Sequence, residues 1–182
     1  LCFRLAMGLV YLATGFWWYG GAVDFRGYFI DGARVSEALV RADTRPLEQM
    51  LADFAAGGIN LDVLTVHLLS GALYFLTGPS LVGVALLSAI VGFLGSWLFF
   101  RAFQVALPGA PGTRFVALSL FFLPGLAYWT SLLGKDSWMF FFLGLVSYSL
   151  ARLFEGIRIV NVIGLVLGVA GIWSIRAPIG FV

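Results

Sequence analysis

Two adjacent residues of opposite charge, Lys135 and Asp136, interrupt a long apolar region in the stretch SLLGKDSWMFFF. Charged residues make up only 11% of the chain, so a Lys-Asp pair kept between two hydrophobic runs is a candidate functional site. Asp136 is also well placed to cap a helix beginning at Ser137, because a carboxylate accepts hydrogen bonds from the free amides of a helix start. The residues themselves leave both roles open.

The composition is typical of an integral membrane protein. The 182 residues are 61% hydrophobic, the mean hydropathy is +1.00, and several apolar runs approach the roughly 20 residues that cross a bilayer. The arginines are scattered singly rather than clustered, which argues against a nucleic-acid partner. Cys2 is the single cysteine, which excludes an intrachain disulfide. The composition therefore indicates membrane lipid as a partner and names no protein partner.

The positive-inside rule decides which of the six apolar runs cross the membrane. The run at 63–77 is only about 15 residues long and carries His67, so it is marginal as a span. If it crosses, the arginines at the ends of the other runs are divided between the two sides. If it lies in the interface, five of them face the cytoplasm: Arg4, Arg101, Arg114, Arg152 and Arg158. The sequence therefore predicts an all-α integral membrane protein with about five transmembrane helices, in which residues 1–182 form one transmembrane domain.

The first extracytoplasmic segment, residues 20–79, is predicted to contain interfacial amphipathic helices. Within it apolar residues recur at i, i+3, i+4 and i+7: Val35, Ala38, Leu39 and Ala42. This spacing predicts a helix over 32–43 in the membrane plane, with Val35, Leu39 and Ala42 turned inward. A second helix is expected over 47–56.

The same topology brings two acids to the extracytoplasmic side. Asp31 lies where the segment is expected to enter its first interfacial helix, and Asp136 lies before the fourth span. Asp31 could also cap that helix or be a solvated charge. His67 has no second metal ligand at i+3 or i+4, which favours a structural role. Arg176 follows the last apolar run and could serve as a headgroup anchor.

Four stretches of the chain share the order and spacing of their charged positions with a known family. YFIDGARVSEALV is similar to an acidic motif of a first outer loop, and LYFLTGPSLVGVALLSAIVGFLGSWLFFRAF resembles an interfacial helix with its Gly turn and second span. LLGKDSWMFFFLGLVSYSLARLFEG looks like a second outer loop and fourth span, and SIRAPIGFV resembles the basic turn after the fifth. Together they resemble the GT-C superfamily of membrane glycosyltransferases, particularly bacterial relatives of protein O-mannosyltransferases and lipid A aminoarabinose transferases. The resemblance covers essentially the whole chain and implies the N-terminal half of a longer protein.

The resemblance implies transfer of a sugar from a polyprenyl-phosphate carrier to an acceptor on the extracytoplasmic face of the bacterial inner membrane. Asp31 would be the catalytic base that takes the acceptor proton, and Asp136 a second catalytic acid or a ligand of a divalent metal ion. Lys135 and Arg176 would bind the phosphate of the lipid-linked donor. Relatives often carry a second acid where this chain has Gly32, so metal-dependent and metal-independent transfer both stay open.

Two other functions stay open at this stage. One is a polysaccharide polymerase or O-antigen ligase-like protein, which also handles lipid-linked glycans. The other is a transporter or a structural membrane subunit, in which Lys135 and Asp136 would form a buried gating pair. A later outer loop rich in arginine favours the first of these, and inverted repeats favour the second.

Overall fold

The structure is a computed structural model that describes residues 1–18, 24–78 and 80–176. Within these ranges the regular elements are all helices, which confirms the predicted all-α class. In chain order they are α1 (Cys2–Trp17), α2 (Asp24–Arg41), α3 (Arg45–Ala55), α4 (Leu61–Thr77), α5 (Leu81–Ala106), α6 (Thr113–Phe122), α7 (Pro124–Trp129), α8 (Lys135–Glu155) and α9 (Ile159–Ile175).

Two of the described helices are long and apolar enough to cross a bilayer. These are α5, with 26 residues, and α8, with 21. The other apolar helices, α1, α4, α6 and α9, have between 10 and 17 residues, against the roughly 20 that a perpendicular span needs. Length and composition thus support two of the predicted spans, α5 and α8, while the prediction of five stays a prediction.

The third expected span is divided by a proline. α6 ends at Phe122, Leu123 has an extended backbone, and α7 begins at Pro124. Proline has no backbone N–H and its ring clashes with the preceding turn, so a helix cannot continue through it without a bend. A proline within an apolar run predicts a bend, and the structure shows a complete break between two helices.

α5 is the central helix of the bundle and packs along α8 through small residues. A Cβ added to Gly144 would lie 2.7 Å from the carbonyl oxygen of Gly95, so the two backbones touch at this crossing. On α9, Gly171 faces the ring of Phe142 on α8 in the same way. Close approach at small residues is the usual packing of helices in lipid, where no hydrophobic effect drives them together.

α2 packs on α4 through a face that differs from the predicted one. A Cβ at Gly71 of α4 would clash with Val35, and Gly32 lies equally close to Ser70. Val35 is buried as expected, but Leu39 is 51% exposed. Ala42 lies beyond the end of the helix with φ 52°. The inward prediction was wrong for these two residues because the close approach of α4 is centred on Gly32 and Val35.

The remaining polar segment partly follows the prediction. The first helix starts at Asp24, well before the expected start, so Asp31 lies inside α2 and is not its cap. The second helix was expected over 47–56 and is confirmed as α3.

Arg4 is buried inside the helix bundle. It was expected to face the cytoplasm, but its side chain is inside the bundle and the residue is 1% exposed. Its partners belong to α5, α6 and the segment after α7. The charge partition that set the topology therefore rests on four arginines: Arg101, Arg114, Arg152 and Arg158.

Candidate functional site

Lys135 joins three helices at the start of α8. Its ammonium donates a hydrogen bond to Asp62, in the first turn of α4, and also to the Tyr28 hydroxyl of α2. The Lys135 and Asp62 side chains are 23% and 32% exposed. Burial acts to raise the pKa of Asp62, but the hydrogen bond and positive charge of Lys135 outweigh it and lower that pKa overall. Asp62 is therefore held as a carboxylate.

Asp136 does not pair with its neighbour in the sequence. Its Oδ1 atom accepts a hydrogen bond of 3.4 Å from the Arg176 guanidinium, and both side chains are half exposed. α8 begins at Lys135, two residues earlier than expected, with Gly134 at the N-cap, so Asp136 lies in the first turn and is not the cap. The gating pair considered for a transporter is therefore not formed.

A cavity of about 150 Å³ brings three of the four sequence-predicted site residues together. It lies where the end of α7 and the start of α8 meet α1, α2 and the end of α9. Its lining is Tyr11, Tyr28, Trp129, Leu132, Leu133, Gly134, Lys135, Asp136 and Arg176. Two cations and one carboxylate thus share a small space with three aromatic rings. This space is called the cation cavity below.

The fourth predicted residue, Asp31, lies on a different cavity. It is on the wall of a groove of about 470 Å³ between α2 and α3. Arg34 donates a 2.9 Å hydrogen bond to its Oδ1 atom, while Nε2 of His67 lies 3.5 Å from Oδ2. The carboxylate is 30% exposed, and the groove gives it access to water. This groove is called the α2–α3 groove below.

Asp31 and Asp136, both expected on the extracytoplasmic side, do not share a cavity among those that the described residues line. The two spaces are instead linked by side chains. The rings of His67 and Tyr28 meet edge to face, with centroids 5.9 Å apart. His67 contacts Asp31, and Tyr28 lines the cation cavity. Asp31 is therefore separated from the cation cavity by two rings.

His67 is buried, and burial lowers its pKa although the charge of Asp31 opposes this. A neutral imidazole can donate from Nε2 toward Asp31, and Nδ1 then has no partner within the described residues. Sequence reasoning gave His67 a structural role and did not connect Asp62 with Lys135. The available signal was that His67, Asp62 and Lys135 are polar residues within or beside apolar runs.

The residues around Asp136 do not fit a divalent metal ion. In the described ranges no three His, Cys, Asp or Glu side chains converge in a way that could hold one. The Asp136 carboxylate faces the guanidinium of Arg176, whose charge repels a second cation. No step of the chemistry is therefore assigned to a metal.

Comparisons of the chain with protein-family models, curated proteins and solved structures find no match. The functional interpretation consequently rests on the residues of the cation cavity and of the α2–α3 groove.

Proposed function

We propose that the chain transfers a sugar from a polyprenyl-phosphate carrier to an acceptor on the extracytoplasmic side of the membrane. In this proposal α1, α5, α6 with α7, α8 and α9 cross the membrane, and α4 lies in the interface beside α2 and α3. The observation that supports it is that two cations, Lys135 and Arg176, line one cavity together with aromatic and apolar side chains. Cations at an apolar boundary suit a ligand with a phosphate head and a hydrocarbon tail.

The leaving group is the lipid phosphate. As the bond between the anomeric carbon and the phosphate oxygen breaks, negative charge grows on that oxygen, and fixed cations stabilise it. Arg176 holds Asp136 only by a long, half-exposed contact, so it is free to exchange partners at little cost. Lys135 keeps its place through Asp62 and Tyr28.

The acceptor approaches from the α2–α3 groove. Its hydroxyl or amine forms the new bond to the anomeric carbon. For the Asp31 carboxylate to take the proton, the sugar must extend from the cation cavity past the Tyr28 and His67 rings that separate the two spaces. Arg34 and His67 hold the two oxygens of that carboxylate in place. The groove is lined mainly by charged and polar side chains, which suits an acceptor that is itself hydrophilic.

Binding of the carrier tests the proposal without knowledge of the sugar. The purified chain in lipid nanodiscs is titrated with undecaprenyl phosphate and with undecaprenol, which lacks the phosphate. We expect the phosphate to bind at least tenfold more tightly, and Lys135→Gln and Arg176→Gln each to remove most of that difference. Arg158→Gln, at an exposed arginine between α8 and α9, is the matched control and should bind like the unmodified chain. Equal affinity for the alcohol and the phosphate would overturn the proposal.

A further inference from the structure

Arg4 is buried without a counter-charge. No carboxylate within the described ranges pairs with its guanidinium. It donates instead to the hydroxyls of Thr130 and Ser96 and, over 2.9 Å, to the carbonyl oxygen of Leu120. The guanidinium carbon also lies 5.7 Å from the centre of the Phe140 ring. A charge inside a helix bundle is costly, so its place should be explained by what it does there.

The Leu120 carbonyl is an acceptor that the helix itself cannot satisfy. In a continuous helix it would accept from the backbone N–H four residues later, and that residue is Pro124. Arg4 and the Ser96 hydroxyl both donate to it, the latter also at 2.9 Å. An unsatisfied carbonyl costs several kcal/mol in an apolar surrounding, so breaks of this kind persist only where neighbouring groups replace the lost bond.

The same guanidinium also reaches the far end of α7. The Thr130 hydroxyl donates to the Leu126 carbonyl and accepts from Arg4. Arg4 therefore contacts both Leu120, in the last turn of α6, and Thr130, which follows α7. α7 has only six residues and supplies Trp129 to the cation cavity. Leu132 and Leu133, in the segment after α7, line the same cavity.

We infer that Arg4 is a positioning residue, whose guanidinium closes the helix break made by Pro124 and so fixes α7 and Trp129 at the wall of the cation cavity. Arg4 does not line this cavity and acts on it only through α7. The ligand of the cavity rests on the proposed function, whereas the role of Arg4 in holding α7 does not.

A thermal unfolding cycle on the purified chain tests the link between Arg4 and Pro124. Pro124→Ala restores a backbone N–H to the Leu120 carbonyl, so Arg4→Leu should lower Tm much less in that background than beside the native proline. Ser96→Ala removes only one of the two donors to the Leu120 carbonyl. It can replace Arg4→Leu in the same comparison of the two backgrounds if Arg4→Leu does not fold. Tyr128→Phe, which removes a different bond between α7 and α1, to Thr14, is the control and should cost the same in both backgrounds. Equal losses in both backgrounds for Arg4→Leu and Ser96→Ala would overturn the inference.

A distance measurement tests whether Arg4 fixes α7. Spin labels are placed at Trp17→Cys on α1 and Gly125→Cys on α7 in a Cys2→Ser chain; Trp17 is exposed and Gly125 has open space around its Cα. We expect one narrow distance distribution in the parent chain. Arg4→Lys keeps the charge but cannot serve three separated acceptors, so its distribution should be broader or shifted. An unchanged distribution would contradict the inference.

Carrier binding connects α7 to the cavity. At a temperature at which Arg4→Lys is fully folded, it should weaken binding of undecaprenyl phosphate about tenfold, and unaltered binding would contradict a positioning role. If the parent chain itself binds no undecaprenyl phosphate, the proposed function fails, whereas the unfolding cycle and the distance measurement still decide the role of Arg4.

Discussion

Lys135 and Asp62 tie the first turn of α8 to the first turn of α4, although 73 residues separate them in the sequence. α4 is the helix whose crossing of the membrane decides the topology, and α8 is one of the two long apolar helices. The ion pair thus fixes one end of α4 to the bundle. Because Lys135 also lines the cation cavity, the pair holds in place one of the cations proposed to bind phosphate.

Loss of this ion pair should destabilise the chain and change its response to acid. Asp62→Asn should lower the free energy of unfolding by about 1 kcal/mol at neutral pH, since both side chains remain partly exposed. The folded-state pKa of Asp62 lies below its ordinary value of 3.8. Its contribution is therefore complete above that value and is lost as the pH falls through the lower folded-state pKa.

Unfolding of the parent chain and of Asp62→Asn, followed from pH 7 down to about pH 2, measures this effect. The two stabilities should differ at pH 7 and converge at the acid end. Asp53→Asn, at an exposed acid near the end of α3, is the matched control and should follow the parent chain throughout. A constant difference across the pH range would show that Asp62 acts otherwise than through its charge.

Asp31 should be needed for turnover and not for carrier binding. Asp31→Asn keeps the size and polarity of the side chain but removes the base, so turnover should fall by about 100-fold or more while affinity for undecaprenyl phosphate stays within about twofold. The measurement is sugar release from polyprenyl-phosphate-linked donors by the full-length protein. Glu155→Gln, at an exposed acid at the end of α8 that lines neither cavity, should leave both quantities unchanged. Normal turnover in Asp31→Asn would remove Asp31 from the mechanism.

The five-span topology places one of three surface positions on the opposite side of the membrane from the other two. Single cysteines replace Gln49 on α3, and Pro111 and Ile157 in the turns after α5 and α8, in a Cys2→Ser chain. If α4 lies in the interface, an impermeant thiol reagent applied to sealed cells should label Gln49→Cys alone. If α4 crosses, all three positions fall on one side of the membrane, and labelling at Pro111→Cys would refute the five-span arrangement.

The contact between α5 and the segment after α7 leaves no room for a methyl group. A Cβ on Gly92 would lie 1.8 Å from the carbonyl oxygen of Thr130. Gly92→Ala must therefore displace that segment, and we expect a loss of about 1–3 kcal/mol of stability, as for other overpacked cores. Gly125→Ala, on the open side of α7, is the control and should be neutral or stabilising. A thermal shift assay compares the two variants, and equal Tm values would contradict the close approach.

Local patterns in the sequence were enough for the elements that local forces determine. The helical class, the break at Pro124 and the extent of α3 all follow from periodicity, from the missing proline N–H and from apolar run length. The face of α2 was misjudged because its partner, α4, packs on glycine and serine, residues that carry little hydrophobic signal.

Pairing between distant residues could not be predicted in this way. Lys135 was considered as a pair with its sequence neighbour Asp136. In the structure Lys135 pairs with Asp62, and Asp136 pairs with Arg176. Arg4 was counted as a surface charge because arginine near the end of an apolar run usually is one. Its burial depends on three acceptors that come together only in the folded bundle.

The buried guanidinium also has a consequence for the order of biosynthesis. Arg4 is made 116 residues before Leu120 and 126 before Thr130. If α1 crosses the membrane as proposed, it meets lipid before any of these acceptors exists, because a chain is inserted from its N-terminus, and a lone arginine is poorly tolerated there. We expect α1 to stay with Arg4 at the lipid headgroups and to reach its position in the bundle only after α7 has been synthesised. Probes placed near Arg4 can be crosslinked to lipid in stalled chains that end before or after Thr130. A difference in lipid crosslinking between the two chain lengths would reveal this late step.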